Sequence, residues 1–164
     1  MKIGPKLTLD HLDAFDRRIL DQVQRDNQQS HAAIGEQVGL SASAVRKRLS
    51  ALRKSGIIAA DVAVLRDDPA FIQVIVTVTL EKVTTEAHES IQDLVQRTPE
   101  ITQAYHVAGR EDFIFILRCP SLSWYEAWSM EAFVSNPIVG VFDTRVVWSC
   151  MRYSTVTPLS TQAE

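Results

Sequence analysis

Residues 41–56 carry Arg46, Lys47, Arg48, Arg53 and Lys54, with Ser41, Ser43 and Ser50 among them and no acid. Cations interleaved with hydroxyls suit a polyanion, since guanidinium and ammonium groups neutralise phosphates while hydroxyls donate hydrogen bonds to them. Standing alone, such a run is an ordinary solvated helix face, so its meaning depends on the frame that carries it. The other reactive residue types form no constellation. His11, His31, His88 and His106 are too dispersed for a metal motif. His106, the one on a predicted strand near a loop, reads as a satisfied core or interface histidine. Cys119 and Cys150 are too few and too far apart for a disulfide scaffold or a zinc site, and read as buried thiols in a reducing compartment. The chain has no glycine-rich phosphate loop and no nucleophile elbow, so no enzyme chemistry and no cofactor is expected.

The basic run needs a helix and a partner helix to place it. Leu12, Phe15, Ile19, Leu20 and Val23 form an amphipathic stripe that Asp13 caps, with Asp13 and Asp16 suiting the helix dipole. A second helix runs from Ser30 as N-cap through Ile34 to Val38, with Gly39 as its left-handed stop. Ser41 then caps a third, whose core stripe is Val45, Leu49 and Leu52 and which ends at Gly56. Helix, short glycine-containing turn, helix is the helix-turn-helix pattern. Ile58, Ala60, Val62 and Val64 alternate with Ala59, Asp61 and Ala63, the pattern of a strand pair that would form a wing.

With the Val45 stripe inward, Ser43, Arg46, Lys47, Ser50 and Lys54 turn to solvent. Ser43, Arg46 and Lys47 lie in the first two turns and are the expected groove readers. Arg48 flanks the buried stripe, where a phosphate contact or an internal ion pair suits it better than base readout. Ser30 and His31 open the second helix and could donate to a phosphate, with plain capping an equal reading for Ser30.

Beyond this frame the charge reverses. Residues 1–66 hold 11 Lys/Arg against 7 Asp/Glu, whereas 67–164 hold 6 against 13, so the net of −3 conceals a basic module followed by an acidic one. The expected domains are 1–66 and 67–164. At 164 residues and 46% hydrophobic the chain has the make-up of a globular protein and is too short for a large multidomain enzyme. No secretory signal is read in residues 1–17. The longest stretch free of charge, Pro69–Leu80, has 12 residues, short of the roughly 20 a membrane-spanning helix needs. The expectation is a cytoplasmic, nucleoid-associated protein without a membrane partner.

In the acidic module Ile72, Val74, Val76, Val78 and Leu80 alternate with polar residues as a one-sided strand. A helix fits Glu86–Arg97, strands return at 101–108 and 113–118 around Gly109-Arg110-Glu111-Asp112, and Ser123 with Glu126 forms a capping box for a helix carrying Trp124, Trp128 and Phe133. A final strand is expected over Val139–Tyr153. That order is the ferredoxin-like βαββαβ unit. The fold class is therefore α+β, a winged helix-turn-helix followed by a ferredoxin-like domain. Phe113, Ile114, Phe115 and Ile116 are apolar on both strand faces, which points to homo-oligomerisation through the sheet.

From about Leu9 to Leu159, the runs Leu12-Asp13, Asp16-Arg17-Arg18-Ile19-Leu20, Ile34-Gly35, Val38-Gly39-Leu40-Ser41, Val45 with Arg48 and Leu52, and Gly56-Ile57-Ile58 resemble the winged helix-turn-helix of Lrp/AsnC transcription regulators. Val107-Ala108-Gly109-Arg110-Glu111-Asp112-Phe113 and Asp143-Thr144-Arg145-Val146-Val147 resemble that family's effector-binding RAM domain, a dimeric α/β-barrel. The resemblance implies binding to double-stranded DNA, a homodimer assembled into a tetramer of dimers, and a small effector, usually an amino acid, held between dimers. By position, Gly109, Arg110, Glu111 and Asp112 would supply amides and a carboxylate, and Leu122, Val147 and Trp148 would border the effector's side chain. Asp112 could pair an ammonium and loop N–H groups a carboxylate; a turn role for Asp112 is the alternative. The charged Arg110-Glu111 and bulky Trp148 depart from the family pattern and argue against leucine itself as the effector.

Two other readings share the architecture. Sirohaem decarboxylases resemble it, but would show a His/Arg-rich stretch followed by Asn-Met-Trp where this chain has Gly-Arg-Glu-Asp-Phe. An amino-acid sensor that has lost DNA binding is the third.

Overall fold

The computed structural model describes residues 11–65 and 70–159. These form two compact units, one of residues 11–64 with 152–159 and one of residue 65 with 70–151.

In the first unit, α1 (Ala14–Val23) starts from a complete capping box, in which the Asp13 carboxylate accepts from the Asp16 N–H at 2.8 Å and Asp16 answers at the Asp13 N–H. Ser30 caps α2 (His31–Val38) and Ser41 caps α3 (Ala42–Lys54), each hydroxyl accepting an N–H three residues on. The turn between α2 and α3 is built on two glycines. Gly39 stands at φ 77°, where a side chain would strain the backbone, and its N–H and that of Leu40 both donate to Gly35 O. A Cβ on Gly35 would lie 2.4 Å from the Leu40 carbonyl oxygen, so the close approach of helix and turn requires its absence. Ile19, Ile34, Val45 and Leu49 sit at the centre of the core.

Two expectations for this unit are corrected. Residues 58–65 pair with no strand among the described residues and leave Val62 and Val64 exposed, so no wing hairpin forms here. Alternation alone cannot make a strand when no neighbour accepts its hydrogen bonds. The C-terminal tail, read from sequence as part of the second module, packs into the first unit. Leu159 is buried with Leu12 and Ile19, Gln24 exchanges two hydrogen bonds with the Thr157 backbone, at 2.7 and 3.2 Å, and Arg17 reaches Leu159 O at 3.4 Å. The expected cut after Arg66 lies outside the described residues.

The second unit is a four-stranded antiparallel sheet of order β2-β3-β1-β4, from β1 (Ile72–Leu80), β2 (Ile101–His106), β3 (Phe113–Cys119) and β4 (Val139–Val146). Alternation along β1 and β3 puts Val74, Val76, Val78, Phe113, Phe115 and Leu117 on one face, buried with residues of α4 (Thr85–Arg97) and α5 (Leu122–Ser129). A single π turn, Met130–Val134, extends α5 and sinks Phe133 into this core. The opposite face, with Ile75, Ile114, Ile116, Tyr105 and Val141 in register, has no helix over it among the described residues.

Boundaries shift where a neighbour runs out. β2 stops at His106 rather than Ala108, and β4 stops at Val146 rather than Tyr153. Val146 faces Val74, and Val147 N–H makes one more bond, to Gln73 O, one residue short of Ile72 where β1 begins. The cap of α5 is Ser121, which accepts from the Trp124 N–H at 3.1 Å, and not Ser123, whose hydroxyl bonds Ser121 instead. Cys119 is buried, which pushes its thiol up to about 11 with the Glu100 charge adding to the effect, but Cys150 is exposed and so is not the buried thiol expected. No helix among the described residues is long and apolar enough to cross a membrane.

Candidate DNA-binding face and effector loop

The buried stripe of α3 fixes the direction of everything else on it. Val45, Leu49 and Leu52 point inward, and Ser43, Arg46, Lys47, Ser50 and Lys54 are exposed. Among the described residues Arg46, Lys47 and Lys54 make no ion pair, so their charges face solvent uncompensated. His31 is exposed at the start of α2. The hydroxyls of Ser30 and Ser41 accept the capping N–H groups, which leaves each its own hydrogen to donate, Ser41 exchanging one with Ser43 at 3.0 Å.

Arg48 does not belong to this set. Its guanidinium bridges Asp13 at 2.7 Å and Asp16 at 2.8 Å, and lies 5.5 Å from the Phe15 ring. The Asp16 N–H first and Arg48 second hold the Asp13 carboxyl below its ordinary range, while the two carboxylates raise the Arg48 value. Of the two roles open to Arg48, the internal ion pair is the one the fold adopts, because the position flanking the core stripe faces the capping box of α1. Arg53 is likewise engaged, by Asp61 at 2.8 Å, which also holds Asp61 low. The five-cation run thus resolves into three cations facing out and two tied to acids of the same unit.

In the second unit the candidate effector residues fall into two groups. Gly109 and Arg110 are exposed and Glu111 and Asp112 half-buried in the β2–β3 hairpin. The N–H groups of Gly109, Arg110 and Glu111 have no backbone partner among the described residues. Asp112 has a turn role: one carboxylate oxygen accepts from Leu80 N–H at 2.8 Å, its N–H donates to Val78 O, and its carbonyl accepts from Val107 N–H. Leu122, Val147 and Trp148 stand elsewhere. Leu122 follows Cys119, which pairs with Ile72, and Val147 bonds Gln73, so these residues mark the first end of β1 while the hairpin marks its last. From Gln73 to Val78 is about 17 Å of extended strand. One chain therefore does not bring the two groups together. Trp148 is 100% exposed and Leu122 55%.

Sequence reading missed two features. Nothing periodic marks Leu159, which follows Val156 in a Ser/Thr-rich tail. His88 and His106, 18 residues apart, meet with their Nε2 atoms 3.4 Å apart, and His106 is exposed rather than a core residue; only the pairing of α4 with the end of β2 reveals it.

A helix-turn-helix with an open cationic face, joined to a ferredoxin-like domain, defines a two-module DNA-binding regulator. Comparison with known proteins names the class more closely. Residues 12–53 match the model of the AsnC-type helix-turn-helix domain, and residues 73–156 that of the Lrp/AsnC ligand binding domain. The leucine-responsive regulatory protein of Escherichia coli is 32% identical over 136 residues, 82% of each chain, and an uncharacterized HTH-type transcriptional regulator of Sinorhizobium fredii is 29% identical over 90% of this chain and 89% of its own. Among solved structures, an AsnC family regulator from Agrobacterium tumefaciens superposes with a TM-score of 0.81 at 23% identity, covering 93% of this chain and all of that one. A transcriptional regulator of Neisseria meningitidis in complex with L-Met superposes with 0.83 at 22%, covering 91% and 97%. The chain belongs to the Lrp/AsnC family and is a transcriptional regulator with a DNA-binding and a ligand-binding domain, not an enzyme.

Proposed function

We propose that the protein binds duplex DNA through Ser43, Arg46, Lys47, Ser50 and Lys54 of α3, with Ser30, His31 and Ser41 donating to phosphates, and that a small amino-acid effector modulates this binding. The observation that carries the reading is the division of the α3 cations. Arg48 and Arg53 are spent on internal acids, and the residues left uncompensated share the one exposed face of the recognition helix.

The protein works as a homodimer through the open face of its sheet, where Ile75 pairs with Ile116 and shares the face with Ile114 and Val141, which pair with Thr77 and Thr79, with dimers associating further into a tetramer of dimers. The effector site is composite. Gly109, Arg110, Glu111 and Asp112 of one copy supply amides and charge, and Leu122, Val147 and Trp148 of another close over the side chain. A fully exposed tryptophan supports this, since its large apolar area is left for a second copy to cover. The L-Met bound to the Neisseria neighbour supports an amino acid as the effector class.

The test is fluorescence anisotropy on fragments from upstream regions of its own genome, at fixed salt, with and without each of the twenty amino acids. Sequence-selective binding that one amino acid alters is expected. Failure to bind any duplex overturns the DNA reading, and binding indifferent to all twenty overturns the effector class.

A further inference from the structure

His88 on α4 and His106 at the end of β2 present their Nε2 atoms to each other at 3.4 Å. His88 Nδ1 lies 2.9 Å from Thr84 O. A carbonyl only accepts, so the ring proton of neutral His88 sits on Nδ1 and Nε2 keeps its lone pair. This is the arrangement that orients a metal-ligating imidazole, in which the second nitrogen donates to a backbone carbonyl. Phe113 packs against both rings, with centroids 5.4 Å from His88 and 5.0 Å from His106, and so limits their rotation.

The separation is informative. As an N–H···N hydrogen bond, 3.4 Å is long and therefore weak. Two imidazole nitrogens bound at about 2.0–2.1 Å to one tetrahedral ion stand about 3.4 Å apart. We propose that His88 and His106 form a two-imidazole site for a borderline divalent transition-metal ion of the zinc type. No third His, Cys, Asp or Glu joins them among the described residues, so water fills the remaining positions. Val83, Thr84, Thr85 and Glu86 line an open depression beside His88 that admits it, with the Glu86 carboxylate adding negative potential. Neutral imidazole favours zinc, nickel, cobalt or copper over magnesium or calcium, which need oxygen ligands. The ion ties the first turns of α4 to the entry of the β2–β3 hairpin. The site stands independently of any role of that hairpin in effector binding.

The experiment is isothermal titration of the untagged full-length protein with zinc chloride, followed in parallel by the histidine Cε1–H resonances. Saturable binding of one ion per protomer is expected, with His88→Ala and His106→Ala each weakening it at least tenfold and His11→Ala leaving it unchanged. Because His106 is exposed, its substitution spares the core, and an unaltered melting curve without metal confirms that the variant is folded. Absence of saturable binding, or binding that survives either single substitution, overturns the proposal.

Discussion

The α3 residues proposed to meet a polyanion share one face of that helix, whereas the residues proposed to hold a small ligand stand at opposite ends of the second unit's sheet. The contrast follows from geometry. A helix thirteen residues long brings positions 43, 46, 47, 50 and 54 to one side by its own period. A strand instead separates its ends, so a pocket that draws on both needs another copy to fold over. The charges match this division of labour. Among the described residues unit one carries 9 Lys/Arg against 6 Asp/Glu and unit two 5 against 10, so a polyanion attracts the first and repels the second.

The contrast can be broken from either side. The largest effect is expected from Leu159→Ala. It empties a buried position of the first unit and should cost about 2–3 kcal/mol, lowering that unit's unfolding transition in calorimetry and weakening DNA binding although the tail is far from α3 in sequence. Lys47→Glu should reduce specific DNA affinity by about 10- to 100-fold and flatten its salt dependence, with the oligomer unchanged in sedimentation. An unchanged affinity removes Lys47 from the interface. Asp112→Asn keeps an oxygen to accept the Leu80 N–H but removes the charge. It should therefore diminish the effector response in the anisotropy assay and leave binding without effector intact.

The smallest effect sharpens the comparison within α3 itself. Arg48→Ala is expected to cost up to about 1 kcal/mol of stability, because the ion pair is partly solvated, and to leave the DNA affinity of the folded protein unaltered, the opposite of Lys47. Asp13, held below its ordinary value by the Asp16 N–H and Arg48, links this network to pH. Its contribution is fully present above the unfolded carboxylate value of about 3.9 and is lost as pH falls through the depressed folded value. The first unit's melting temperature should be level from pH 8 to 5 on this account and decline below about pH 4.

The sequence made the helices and their caps legible because Asp13, Ser30, Ser41 and Gly39 act on N–H and C=O groups within their own turn. The exposed face of α3 was legible for the same reason. What escaped depended on partners distant in the chain. The run at 58–64 alternates like a strand but finds no neighbour among the described residues, β4 ends near the start of β1, Ser121 takes the cap that Ser123 and Glu126 advertised, and Arg48 is settled by acids more than thirty residues before it. The candidate effector residues lie at the limit of such reading. Family resemblance names them, and the register of β1 shows why a single chain keeps them apart.

Mixing subunits distinguishes an effector site shared between copies from one complete in a single chain. Asp112→Asn and Trp148→Ala chains, each expected to have lost the effector response alone, are co-expressed and assayed for effector-induced change in DNA anisotropy. Mixed oligomers should recover a response that neither variant shows, since an intact loop then meets an intact Trp148 from another copy. A mixture as unresponsive as its two components would contradict the account and return the whole effector site to one chain.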